Sequence, residues 1–275
     1  MIPNDLNHLL QELAERTEPA LLLAGGTDII VQRKKGVLPQ RDVFCITHLP
    51  ELKRIGTVDG MIRIGAGVTF TELLESGTVQ AGCPFLTNAL KGFASPLIRS
   101  LATLGGNIAN ASPTADSIPP LLVLDAVLEL LSASETRLIP LHEFYHGYKV
   151  TSLRPDEILR AIRIPDVRDW PGKWYYRKVG GRNALAIAKL SIGAYFRVEN
   201  GQIAEIRVAA GALNEYPRRL SGLETMLLGR EPETVTLEEI DEALVSEITP
   251  LDDLRSTSIY RGTVCGNLIG EMLRL

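Results

Sequence analysis

The 275-residue sequence predicts an α+β fold assembled from three successive units, and three stretches predict it. Residues 5–16 place Leu6, Leu9, Leu10 and Leu13 at helical spacing, directly ahead of an apolar, strand-like run at 21–24. IGTVDGMIRIGAG, from Ile55, reads as strand, turn, strand about Asp59-Gly60. SIGAYFRVENGQIAEIRVAAGAL, from Ser191, repeats the pattern about Asn200-Gly201. The units are expected at 1–54, 55–166 and 167–275.

In the first unit Asn4 or Asp5 is positioned to cap the helix, and Thr27 or Asp28 to cap a second helix or turn running to Gly36, with a strand at 42–46 and Pro50 closing the unit. The second unit continues from its hairpin into a helix beginning near Thr69 and another helical stretch at 87–93. IPDVRDWPGKWYYRK, with two prolines and a glycine, is a junction. Beyond it lie an antiparallel sheet and the helices SGLETMLLG, stopped by Gly229, and LEEIDEALVSEI, with Leu237, Ile240, Leu244 and Ile248 on one face.

At 45% hydrophobic and 23% charged residues the chain can bury a sizeable core. Its net charge is −4 with interspersed signs, and the one cationic cluster, Arg33-Lys34-Lys35, is short, so no nucleic-acid partner is expected. The first residues lack a basic n-region with a continuous apolar stretch, and the longest apolar run, IPPLLVLDAVLELL, is interrupted by Asp125 and Glu129. A cytoplasmic protein without membrane insertion is the expectation. Cys45, Cys83 and Cys265 lie far apart, too few for a four-thiolate cluster or zinc site, and each reads as a small buried hydrophobe. Any redox centre must then be an organic cofactor here or a metal centre on a partner.

Two glycine pairs carry the candidate site. LLLAGGTD places Gly25 and Gly26 after the first strand, and TLGGNIANASPTAD repeats the device with Gly105 and Gly106. Glycine reaches positive φ cheaply and lets backbone N–H groups approach an anion, so each pair is either a tight turn or part of a diphosphate cradle. Three decoys are weaker. Gly65-x-Gly67 follows a strand, but Phe70 stands where the dinucleotide fingerprint needs a small residue. HEFYH matches a zinc pattern through His142, Glu143 and His146, but Pro140 and Gly147 leave little room for its helix. No G-x-S-x-G elbow supports a serine hydrolase.

LLLAGGTD, TLGGNIANASPTADSIPPLLVLDA, PDEILRAIRIP, YRKVGGRNALAIAKLSIGA and the closing RSTSIYRGTVCGNLI, in this order, resemble the FAD-binding medium subunit of the molybdenum hydroxylases, the family of xanthine dehydrogenase and carbon monoxide dehydrogenase. The resemblance implies a two-subdomain FAD-binding fold of the PCMH/VAO-like type followed by a C-terminal antiparallel sheet plus helices. It implies that Leu23, Ala24, Gly25, Gly26, Thr27 and Asp28 hold the pyrophosphate from one side. Ala102, Thr103, Leu104, Gly105, Gly106 and Asn107 would hold it from the other, with Asn110 nearby. It further implies that Asp116 bonds the sugar portion of FAD, a role compatible with capping the next helix, while Phe93 and Leu159 wall the cofactor and Lys178 lies near it. For Phe93 and Leu159 a plain core role, and for Lys178 a solvated strand end, would look the same in sequence.

The same resemblance implies what lies elsewhere. Molybdopterin is expected on a large partner subunit and 2Fe–2S clusters on a small iron–sulfur subunit, with NAD as electron acceptor and purine as leading substrate class. No catalytic acid or base is implied, since the flavin carries the chemistry. Three rivals differ in class: a stand-alone FAD-dependent oxidoreductase, a flavin-free structural subunit and a zinc hydrolase using HEFYH.

Overall fold

Four leucines at helical spacing explain the first element. Helix α1 (Leu6–Ala14) buries Leu6, Leu9, Leu10 and Leu13, and the Asp5 carboxylate caps it by accepting from the His8 N–H at 2.8 Å. Strands β1 (Leu21–Leu23) and β2 (Val43–Cys45) pair in parallel, joined through α2 (Ile29–Lys34). The leucines of α1 pack with Phe44, Leu49, Leu52 and with Ile158 of the next unit, so the first unit is seated on the second. A computed structural model describes residues 1–182 and 185–275. Asn183 and Ala184, inside the GGRNAL stretch that carries part of the resemblance, lie outside the described residues.

The second unit is a five-stranded antiparallel sheet covered by helices. Its hairpin is the expected one: β3 (Ile55–Val58) and β4 (Met61–Gly65) turn through Asp59 and Gly60, at φ 52° and 75°. A run of short helices follows: α3 (Phe70–Glu75), α4 (Gly77–Gly82), α5 (Pro84–Leu90), α6 (Pro96–Arg99), α7 (Leu104–Ala109) and α8 (Ile118–Val123). Thr69 and Glu72 start α3 with a capping box. Strands β5 (Val127–Leu131) and β6 (Thr136–Pro140) come next, then the short pair β7 (Tyr145–Gly147) and β8 (Val150–Thr151). PDEILRAIRIP becomes β9 (Ile158–Pro165), which slots between β4 and β5 and gives the order β3-β4-β9-β5-β6.

The decoys have structural explanations. Gly65 and Gly67 pass against Leu52: a Cβ on Gly65 would stand 2.2 Å from the Leu52 carbonyl oxygen. That close approach accounts for the glycines without a nucleotide. HEFYH runs from a 3-10 turn (Leu141–Glu143) into β7, so the helical face that would join His142 to His146 does not form. His146 instead contacts the Ser152 hydroxyl.

In the third unit β10 (Lys173–Val179), β11 (Leu190–Glu199), β12 (Gln202–Gly211) and β13 (Arg218–Arg219) form one antiparallel sheet. Asn200 and Gly201 make its central hairpin at φ 52° and 81°. Strand β11 is apolar without alternation because both faces are covered. One face meets α8, where Gly193 lies against the backbone of Pro119 and Pro120. The other packs under α9 (Ser221–Leu227), α10 (Leu237–Val245) and α11 (Ser258–Leu273). Of the four residues expected on one face of the LEEIDEALVSEI helix, Ile240 and Leu244 are buried, Ile248 follows the helix partly buried, and Leu237 is exposed. Cys83 and Cys265 are buried, which pushes both thiols up to about 12; Cys45 departs from the expectation by being partly exposed.

One buried cation ties the third unit together. Arg261, on α11, donates through Nη1 to the carbonyls of Lys189 at 2.7 Å and Ala212 at 2.9 Å, and pairs through Nη2 with Asp253 at 2.7 Å. Arg261→Met fills the same space but orphans three acceptors, so it should lower unfolding free energy by about 3 kcal/mol. A urea midpoint equal to that of the parent chain would show that this hub carries no stability.

Candidate functional site

The first glycine pair leaves its donors open. After β1 the chain turns with Gly26 at φ 70°, and no backbone N–H from Ala24 to Asp28 donates to any group among the described residues. Successive unpaired N–H groups in a turn are the backbone arrangement that receives an anion's oxygens. Gly25 is required for another reason: a Cβ there would stand 1.9 Å from the Leu101 carbonyl oxygen and 3.0 Å from Ala102 Cα. The first loop therefore rests on the chain just ahead of the second pair. Asp28 does not cap α2; its carboxylate binds the Gln32 side chain, which also donates to Asn110 Oδ1 at 3.1 Å and joins the two segments.

The second pair is a different device. Gly105 and Gly106 are not in a positive-φ turn; they belong to the first turn of α7, whose N-cap is Thr103. Their donors are used inside the protein. The N–H groups of Leu104 and Gly105 go to the carbonyls of Val68 at 3.0 Å and Ala66 at 2.9 Å, and that of Gly106 goes to Thr103 Oγ1 at 3.1 Å. Gly105 is a packing glycine, since its Cβ would lie 2.4 Å from Ala66 Cβ. Gly106 is exposed; its Cβ position lies 2.8 Å from the Thr103 cap oxygen and 4.0 Å from Ala24 Cβ. Ala102 and Thr103 are buried beneath it.

From α7 the site reaches the third unit. Asn107 Oδ1 accepts from the Ser117 hydroxyl at 2.6 Å, fixing the turn that carries Asp116. The Asp116 residue is 6% exposed; its Oδ2 meets Lys178 Nζ of β10 at 2.6 Å, and its Oδ1 has no partner among the described residues. Burial raises the Asp116 pKa by more than the Lys178 charge and hydrogen bond lower it. Asp116 is not a helix cap: Ser117 precedes α8, and no side chain caps there. Nor is Lys178 a solvated strand end, because its side chain is mostly buried against that carboxylate. Tyr176, which the sequence did not single out, donates to the Asp116 carbonyl at 3.2 Å. Only its period-two position two residues before Lys178 could have pointed to it.

A cavity of about 560 Å³ adjoins this pair, lined by Asn88, Gly92, Tyr176, Lys178, Val179 and Arg182 among others. A neighbouring one of about 440 Å³ shares Asn88, Ala89 and Tyr176 and is walled by Phe85, Trp170 and Trp174. Phe93 stands next to Gly92 but stacks on Phe70, centroids 4.0 Å apart, and packs against the second unit's core. Leu159 is a buried core residue of β9, opposite Leu130, and lines neither cavity. The fold thus gathers residues 23–28 with 101–110, and through Asn107 and Ser117 with Asp116 and Lys178. Phe93 and Leu159 contribute to packing. Among the described residues no group of three or more His, Cys, Asp or Glu is placed to hold a metal ion, and no helix is long and apolar enough to cross a membrane.

Comparison with known proteins agrees with this architecture. The FAD binding domain in molybdopterin dehydrogenase matches residues 1–167, and the CO dehydrogenase flavoprotein C-terminal domain matches residues 174–275. The xanthine dehydrogenase FAD-binding subunit of Escherichia coli O157:H7 is 35% identical over 244 residues, covering 88% of this chain and 83% of that one. The carbon monoxide dehydrogenase medium chain of Hydrogenophaga pseudoflava is 26% identical over 98% of this chain and 94% of its own length. The solved carbon monoxide dehydrogenase from Hydrogenophaga pseudoflava superposes with a TM-score of 0.90 at 26% identity, over 98% of this chain and 93% of that one.

The Asp116 environment has a measurable consequence. Because its folded-state pKa lies above the ordinary 3.8, between those two values native Asp116 keeps a proton that the unfolded chain has released. Its contribution to stability is full below that ordinary value and is lost as pH rises through the folded pKa. Asp116→Asn removes this titration, so the cofactor-free variant should show a shallower fall in stability as pH rises above about 4. Urea unfolding across that range checks it, and parallel curves for variant and parent would refute it.

Proposed function

The chain belongs to the FAD-binding subunits of the molybdopterin-dependent dehydrogenases, an oxidoreductase family, and on that premise we propose that it is the electron-transferring flavoprotein of a three-part molybdenum hydroxylase. In this reading substrate is oxidised at molybdopterin on a large partner subunit, and electrons reach FAD through 2Fe–2S clusters on a small one. NAD is the final acceptor and a purine the substrate class. The likeness to a xanthine dehydrogenase FAD-binding subunit supports both choices. A cytoplasmic location goes with them.

The observation that carries the reading is the run of open N–H donors from Ala24 to Asp28, with Gly106 beside it, its Cβ position 4.0 Å from Ala24 Cβ. The residues fit FAD. The first loop would take the diphosphate, and Gly106 would leave room for it beside the N-terminus of α7. The orphaned Asp116 Oδ1 would accept from a sugar hydroxyl, while Lys178 holds the other oxygen and keeps the carboxylate oriented. Flavin supplies two-electron and one-electron redox chemistry when bound. The chain's own residues bind and orient it: the loop donors, Asp116 and Lys178 hold polar groups, and Tyr176 and Trp174 help to wall the adjoining cavities. No residue is needed as an acid or base.

Two measurements test this reading. Acid extraction of the purified chain should release FAD and not FMN, because donors at the first loop and an acceptor at Asp116 call for a ligand with both a diphosphate and a sugar; released FMN, or no uptake from excess FAD, would overturn it. In the second, Gly106→Val should weaken FAD binding at least about tenfold, roughly 1.4 kcal/mol, beyond a loss of about 1 kcal/mol of folding stability where its Cβ would crowd the Thr103 cap oxygen at 2.8 Å. Gly25→Ala should lower the midpoint further, because the Leu101 backbone blocks its Cβ. Unchanged FAD affinity in Gly106→Val would make that glycine a bystander.

A further inference from the structure

Strands β1 and β2 pair in parallel, and the chain that crosses between such strands ordinarily packs on them. Here it does not. From Thr27 to Arg41 no residue is buried, although Ile29, Ile30, Val31, Val37 and Leu38 are apolar. The crossover starts at the loop with open N–H donors, and its helix α2 has six residues, too few to persist in water by itself. Its placement therefore rests on ties to the rest of the chain. Apart from the helical bond to the Gly26 carbonyl, one hydrogen bond among the described residues carries residues 27–41 beyond their own segment. Gln32 directs one amide hydrogen to Asp28, within the segment, and the other to Asn110 Oδ1 at 3.1 Å. Asn110 is the C-cap of α7, and its own N–H goes to the Gly106 carbonyl at 3.0 Å. Gln32 is thus drawn across the seam between the two segments that border the candidate site. It is half-buried, whereas Ile30, Val31, Arg33 and Lys34 around it are exposed.

We propose that Gln32 is a positioning residue that latches this segment to α7 and so sets how fast the cofactor enters and leaves, an inference that rests on the flavoprotein reading above. A ligand held both by the loop donors and by Asp116 lies across the seam that Gln32 bridges. With the bond formed, residues 27–41 are held to α7; with it broken, no buried side chain keeps them there. Such opening is one event in the empty and in the loaded chain, so the latch acts on both rates alike and leaves the affinity nearly unchanged. That separates it from two other roles. Loss of a residue that only held the cofactor would speed dissociation and leave association alone. Loss of one that only kept the loop folded would weaken binding and slow association.

The test has two readouts on the full chain, parent and Gln32→Leu, a variant that keeps the bulk and removes both donors. In the cofactor-free chain, trypsin should cut after Arg33, Lys34 or Lys35 about threefold to tenfold faster in the variant, the factor expected for one hydrogen bond, because the open population rises. In stopped-flow mixing with FAD, association and dissociation should both rise by that same factor, with Kd within about twofold of the parent. Asn110→Leu removes the other half of the latch, so adding Gln32→Leu to it should change either rate by less than about twofold. Parent-like cleavage and exchange in Gln32→Leu would overturn the proposal. So would faster dissociation with unchanged association, or a full effect of Gln32→Leu on top of Asn110→Leu. If cleavage accelerates as expected but the parent chain takes up no FAD, the flavoprotein reading itself fails, and the role in cofactor exchange fails with it.

Discussion

The site depends on two places where the backbone has no side chain between itself and its neighbour. At Gly25 the first loop lies on the Leu101 carbonyl, and at Gly105 helix α7 lies on Ala66. A methyl group at either position would overlap atoms that cannot move without shifting a strand or a helix start. These contacts bring the end of β1 and the start of α7 close enough to act on one ligand. They also explain why the two glycine pairs, so alike in sequence, have divided the work: Gly25 and Gly105 serve packing, while Gly26 turns the chain at positive φ and Gly106 sits where the two segments meet. Of the two, only the first loop leaves its donors open, because the second directs those of Leu104 and Gly105 to Val68 and Ala66, between β4 and α3, and that of Gly106 to Thr103.

A second constraint links this junction to the third unit. The Asp116–Lys178 pair spans the turn before α8 in one unit and a strand of the next, with Tyr176 tethering the backbone on the same side. A buried ion pair is a poor source of stability, because desolvation of both charges offsets most of their attraction. Its value lies in geometry: breaking it leaves a buried charge, so the two units are held in one relative placement. The α8 prolines against Gly193 supply the apolar part of the same contact.

What could be read in the sequence was local. The hairpins at Asp59-Gly60 and Asn200-Gly201 form as expected because those residues accept positive φ within a two-residue turn. Helix α1 was equally legible, with its apolar stripe and Asp5 cap. The resemblance named residues 23–28, 102–107, Asp116 and Lys178, which the fold brings together, but also Phe93 and Leu159, which pack into the core, and it did not say how any of them would be used. A Gly-Gly pair looks the same whether it turns, as at Gly26, or enters a helix pressed against Ala66, as at Gly105. The open or occupied state of an N–H depends on partners such as Val68 and Ala66, dozens of residues away. Asp116 looked like a cap because it precedes an apolar helix, yet its carboxylate turns to Lys178, 62 residues on. The exposure of Leu237 follows the same logic, since periodicity marks a face and the packing of α10 decides how far along it burial extends.

The unpartnered oxygen of Asp116 gives the site its energetic character. A buried carboxylate oxygen without a donor carries an uncompensated desolvation penalty, and the raised pKa of Asp116 records it. Lys178 relieves that penalty in part, but it is committed to Oδ2 and cannot serve both oxygens. A ligand hydroxyl that donated to Oδ1 would remove the remainder on binding, so a defect of the empty chain would become affinity for the occupied one. The same holds for the N–H groups of residues 24–28, which only solvent can satisfy until an anion arrives. Folding therefore leaves its unmet polar demand where the two loops and the third unit converge, and a ligand that met it would stabilise all three at once.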